Sequence, residues 1–104
     1  MDVCGEAPIA PLHPAPETIV PLAMTRERIE ETTAAFVRAA ERASAAGFDC
    51  VELHAAHGYL ISQFHTPFEN RREDEYGGSL ENRARFGLDL TRRVKAAVPY
   101  PVTT

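Results

Sequence analysis

Residues 48–54 read FDCVELH, and the fold class turns on whether this run is a strand. It follows Gly47, suits a pleated surface and is too short to make a stable helix by itself. Alternation puts Val51 and Leu53 on one face and Cys50, Glu52 and His54 on the other. Helical patterns lie before and after it, so the run belongs to a parallel α/β sheet whose helices meet Val51 and Leu53. His54 then stands at the strand's C-terminal end, where α/β folds bind ligands.

Upstream, Thr25 is placed to cap a helix over about residues 26–46, with Glu27 in its first turn. Ile29, Phe36, Ala40 and Ala43 recur at helical spacing as one buried stripe, and Gly47 suits the helix stop. Farther upstream, residues 1–24 carry Pro8, Pro11, Pro14, Pro16 and Pro21, which remove amide donors; they form a separate proline-rich loop or linker.

Downstream, residues 58–78 make a long excursion between strand and helix, and long loops in compact domains tend to be functional. YLISQF within it suits a short helical piece. Ser79 caps a second helix over about residues 80–98, with a stripe of Leu80, Ala84, Gly87, Leu90, Val94 and Val98. Glu81–Arg85 and Asp89–Arg93 are spaced to pair along it. Pro99 ends the helix, and PVTT opens another strand.

With 44% hydrophobic and 25% charged residues, the 104-residue chain has globular rather than disordered composition. A net charge of −4 argues against a nucleic acid or an anionic membrane as a partner held by charge. No run approaches a membrane span, and MDVCGEAPIAPLHP has neither a basic nor an apolar region of the signal-peptide kind. Cys4 and Cys50 are isolated, so a reduced, cytoplasmic protein is expected, with Cys50 as a small buried apolar residue.

His54, His57 and Tyr59 fall within six residues. In a continuing strand the two imidazoles would point apart, so they converge only if the chain bends after His54. Ala55, Ala56 and Gly58 permit the bend. Three readings stay open on spacing alone. The imidazoles can aim two N–H donors at one oxygen, with Tyr59 nearby as a proton donor. Glu52, His54, His57 and His65 can be metal ligands. Or the histidines are bonded by backbone at a strand end. Gly77-Gly78-Ser79 reads as a turn and helix cap rather than a phosphate cradle. The run Arg71, Arg72, Glu73, Asp74, Glu75 reads as a solvated loop held by its own ion pairs, with Tyr76 packed beneath and His65 on the surface.

Residues 46–86, AGFDCVELHAAHGYLISQFHTPFENRREDEYGGSLENRARF, closely resemble the central segment of the Old Yellow Enzyme family. Its members are FMN-dependent NAD(P)H:flavin oxidoreductases and ene-reductases built on a TIM (β/α)8 barrel. PLAMT at 21–25 and the helix after it also fit, and APIAPLHPA at 7–15 fits more loosely. The resemblance implies α/β fold class, FMN as cofactor, NAD(P)H as reductant and a small α,β-unsaturated molecule as substrate, with no metal. It implies that His54 and His57 bind the substrate's oxygen while a hydride reaches the β-carbon, and that Tyr59 is the catalytic proton donor. The paired histidines match a bacterial branch rather than the dienoyl-CoA reductase branch. Ala55 and Cys50 stand where the family often has glycine, and His65 where leucine is usual.

A full barrel takes about 250 residues. Residues 25–104 are therefore expected to be a partial barrel segment: helix, strand, active-site loop, helix and the start of the next strand. The main FMN contacts are expected outside this chain. Alone, the chain is expected to be marginally folded and inactive, and an oligomer or a complementing chain stays open. A non-catalytic interaction module is the alternative from another class.

Overall fold

The computed structural model describes residues 22–104. Most of the proline-rich segment, Cys4 included, therefore lies outside the described residues. The order is α1 (Arg26–Ala45), β1 (Val51–Glu52), α2 (Leu60–His65), α3 (Leu80–Ala97) and β2 (Val102–Thr103).

Local chemistry sets the helix ends. Thr25 Oγ1 accepts from the Arg28 amide at 3.1 Å and Ser79 Oγ from the Asn82 amide at 3.2 Å, so both expected N-caps are formed. α1 stops in a Schellman motif. Gly47, at φ +87°, donates to Ser44 O at 3.0 Å and Phe48 donates to Ala43 O at 3.2 Å.

β1 and β2 pair in parallel, Val51 opposite Val102 and Glu52 opposite Thr103, and Leu53 N extends the ladder to Thr103 O at 2.8 Å. A parallel pair needs a crossover, which α2 and α3 supply. The ladder is shorter than the seven-residue run expected, because only one neighbouring strand is present among the described residues to pair with it.

α1 and α3 pack on each other, and α2 packs on α3. Met24, Ile29, Ala40, Leu53, Ile61, Phe64, Phe86, Leu90, Val94 and Val98 form the core, with Val51 and Val102 against it. Phe64, Leu90 and Val94 are fully buried, each removing apolar surface worth about 1.5–3 kcal/mol from water. Thr33, also buried, donates its hydroxyl to Ile29 O at 2.9 Å. Tyr100 donates to Ala40 O at 3.3 Å, fastening the chain after α3 to α1.

Several expectations need correction. Cys50 is exposed, because the face it shares with Glu52 and His54 has no cover among the described residues. On α3, Phe86 is buried and Leu80 is 73% exposed. Relative to Leu90, Phe86 sits about 40° round the helix on one side, whereas Leu80 sits about 80° round on the other, in the first turn. The Asp89–Arg93 pair forms at 2.9 Å. Arg85 instead donates to Asn82 Oδ1 and Glu75 O, both at 2.8 Å, rather than serving Glu81.

Candidate active site

The site stands where β1 ends. After Leu53 the backbone leaves the ladder, and His57 (φ +58°) and Gly58 (φ +73°) take left-handed conformations in succession. Glycine does this freely, while a residue with a Cβ gives up roughly 1–2 kcal/mol. This turn supplies the bend that the histidines require.

His57 Nδ1 and His54 Nε2 face each other at 3.3 Å, and their ring centroids are 5.1 Å apart. The Tyr59 ring lies 5.1 Å from that of His54. All three side chains are exposed and share one patch. An oxygen placed about 2.9 Å from each facing nitrogen would complete a nearly equilateral triangle. Both nitrogens can donate to it only when His54 carries its proton on Nε2 and His57 on Nδ1.

The metal reading lacks its ligand set: among the described residues, no three His, Cys, Asp or Glu side chains are grouped to hold an ion. His65 is exposed and lies instead over Gly87, where an added Cβ would come within 2.7 Å of its Nε2. The histidines also bond to each other rather than to backbone. Gly77, Gly78 and Ser79 form a turn and cap: Gly77 N donates to Asp74 O at 3.0 Å, Gly78 sits at φ +79°, and Ser79 caps α3.

The charged loop corrects a further expectation. Arg72 is not solvated; its side chain is only 9% exposed and grips Asp74 through two bonds of 3.0 and 2.6 Å. Its guanidinium carbon lies 5.9 Å from the Phe64 ring centre and 5.8 Å from that of Tyr76, cationic edge against aromatic faces. The hydrogen bond from Arg72 holds the Asp74 carboxyl below the ordinary aspartate value. Tyr76 packs edge-on to Phe64 as expected, and burial raises its phenol above the usual value. Asn70, the first residue of the N-x-R-x-D-x-Y-G-G-S run that resembles the family pattern, is buried among these groups.

Residues 3–102 match the NADH:flavin oxidoreductase / NADH oxidase family. The chain belongs to this family. It is 57% identical over 82 residues to an NADPH dehydrogenase of Bacillus licheniformis, spanning 79% of this chain and 24% of that protein. An NADH oxidase of Thermoanaerobacter brockii is 50% identical over 104 residues, covering 95% of this chain and 16% of the relative. Among solved structures, a morphinone reductase in complex with tetrahydroNAD matches with a TM-score of 0.76 and 44% identity over 84% of this chain and 23% of that one. An Old Yellow Enzyme from Pichia sp. AKU4542 matches with a TM-score of 0.72 and 51% identity over 74% and 20%. The chain thus spans about a quarter or less of these relatives, and its fold is that of a segment of their TIM barrel. The family is one of FMN oxidoreductases reduced by NAD(P)H.

His54, His57 and Tyr59 stand exposed at the C-terminal end of β1, the end of the strands where such barrels carry their sites. In the Gly77–Ser79 stretch the Gly77 amide donates to Asp74 O within the turn and the Ser79 hydroxyl caps α3. Among the described residues, no helix is long and apolar enough to cross a membrane.

Proposed function

We propose that this segment forms the substrate-oxygen side of an FMN-dependent NAD(P)H ene-reductase acting on activated C=C bonds. The pair of facing nitrogens 3.3 Å apart at the end of β1 carries the reading. When bound and reduced, FMN supplies a hydride to the β-carbon. As charge moves onto the substrate's carbonyl or nitro oxygen, the N–H groups of His54 and His57 stabilise it more than the uncharged ground state. Tyr59, beside His54, donates its phenolic proton to the α-carbon. Binding replaces the bond between the imidazoles with two bonds to the oxygen, the imidazole that had accepted moving its proton through solvent from its other ring nitrogen to the facing one. The main FMN contacts lie outside this chain, and the 104-residue chain by itself does not turn over. Cys50, a free and exposed thiol, suits the reducing cytoplasm.

A second reading is a docking module. Phe48 and Leu22 are exposed, and neither outer edge of the β1–β2 pair is paired among the described residues.

One experiment separates the two. The polypeptide is captured from source cells with an antibody against residues 65–85, then assayed for size, bound flavin and NADPH-driven reduction of cyclohexenone. A flavoprotein far larger than 11.5 kDa is expected, with activity falling about 100-fold or more in His54→Ala and His57→Ala. A flavin-free 11.5 kDa chain would overturn the enzyme reading and favour docking.

A further inference from the structure

Tyr59 is 62% exposed, and among the described residues its one ring contact is with His54. Packing does not fix it, so its placement comes from the backbone of α2. Tyr59 is the N-cap of that helix and its carbonyl accepts from Gln63 N at 2.9 Å, yet its side chain makes no capping bond. A helix of six residues is too short to persist unaided. Packing of Ile61 and Phe64 holds α2 against α3, and hydrogen bonds at its far end fix it further.

A helix leaves its last carbonyls without intrahelical donors. Here Asn70 Nδ2 donates to Phe64 O at 2.7 Å and Arg83 Nε to His65 O at 2.9 Å. Asn70 is buried, and its amide group is used on both sides. Nδ2 also donates to Tyr76 O at 2.8 Å, while Oδ1 accepts from Arg72 N at 3.1 Å. Arg72 in turn donates to Met24 O at 2.8 Å, just before α1, and Asp74 Oδ1 accepts from Tyr76 N at 3.1 Å. One connected set of bonds therefore ties the end of α2 to the loop and to the approach to α1.

We infer that Asn70, Arg72 and Asp74 form a clamp that fixes α2, and so act as positioning residues for Tyr59 and the His57–Gly58 turn without touching substrate. The inference rests on the proposed role of those side chains only in its consequence for catalysis. The clamp itself is tested separately.

Asn70→Asp keeps the size and the acceptor but replaces the donating amide with a carboxylate aimed at two carbonyls. Arg72→Lys keeps the charge and removes the fork, and it carries the test if Asn70→Asp does not fold. Both changes are made in the gene as its source carries it, and the resulting polypeptide is followed by amide hydrogen exchange. Amides of residues 63–66, which close the bonds of α2, are expected to exchange at least about tenfold faster, with those inside α1 and α3 unchanged. Equal loss of protection in all three helices, or no change anywhere, overturns the clamp, since either denies a local link to α2.

In the flavin-loaded polypeptide, reduction by NADPH is expected to stay within about twofold, while the alkene-dependent step slows about tenfold or more. Equal slowing of both steps overturns the positioning role. If the unaltered protein reduces no alkene at all, the proposed function fails while hydrogen exchange still decides the clamp.

Discussion

Gly77 and Gly78 stand side by side for different physical reasons, which gives a demanding test of the loop. Gly78 has φ +79° and open space where a Cβ would go. Gly78→Ala therefore meets only the left-handed penalty of about 1–2 kcal/mol, partly offset by the lower unfolded-state entropy of alanine, for a net loss of about 1 kcal/mol. Gly77 has no positive φ, but its Cβ would lie 2.1 Å from Arg72 O and 2.6 Å from Arg72 C and Cβ. The obstacle is backbone, so it cannot swing aside. Relief needs a shift of roughly 1 Å, enough to break bonds of ordinary hydrogen-bond length. Those at risk are Arg72 N to Asn70 Oδ1 and the Arg72 fork to Asp74. Overpacking of about 1–3 kcal/mol, with the weakened Arg72–Asp74 bond to a charged group at about 1.5–3 kcal/mol, gives roughly 2.5–6 kcal/mol for Gly77→Ala. The assay is equilibrium urea unfolding of both variants, made in the source gene. A Gly77→Ala loss below about 1 kcal/mol, or smaller than that of Gly78→Ala, would refute the close approach.

Other outcomes follow from the same geometry. Phe64, fully buried and 4.5 Å from the Phe86 ring, should lose about 3–5 kcal/mol as Phe64→Ala in urea unfolding. Ser79→Ala removes the α3 cap and should lower stability by about 1 kcal/mol, while Ser79→Asp restores it. Because the folded Asp74 carboxyl titrates below the ordinary value near 3.8, its contribution is present above that pH and is lost as pH falls through the depressed value. The urea midpoint should therefore fall more steeply on acidification in the unaltered protein than in Asp74→Asn; identical profiles would argue against the Arg72 bond as the cause.

Much of the frame is legible in the sequence because it depends on neighbours along the chain. Thr25 and Ser79 bond amides three residues on, and Gly47 closes α1 with bonds to Ser44 and Ala43, all within one turn. The alternation of FDCVELH likewise determined that Val51 and Leu53 would face the helices. Conformation at a single residue was less legible. The two histidines meet because His57 adopts φ +58°, which spacing permits but does not require.

What only the tertiary structure decided depends on partners distant in sequence. Arg72 sits in a charge run that reads as solvated, yet its side chain is largely shielded because Phe64 and Tyr76 flank its guanidinium and Met24 O, 48 positions away, accepts its hydrogen bond. The buried arc of α3 turned toward Phe86 because α2 lies there and Phe64 stacks on it, leaving Leu80 outside. Periodicity gives a helix a stripe, but the neighbours that pack on it set where the stripe is centred. Composition offers Cys50 as an apolar residue, but burial needs a covering element, and none among the described residues lies over that face of β1.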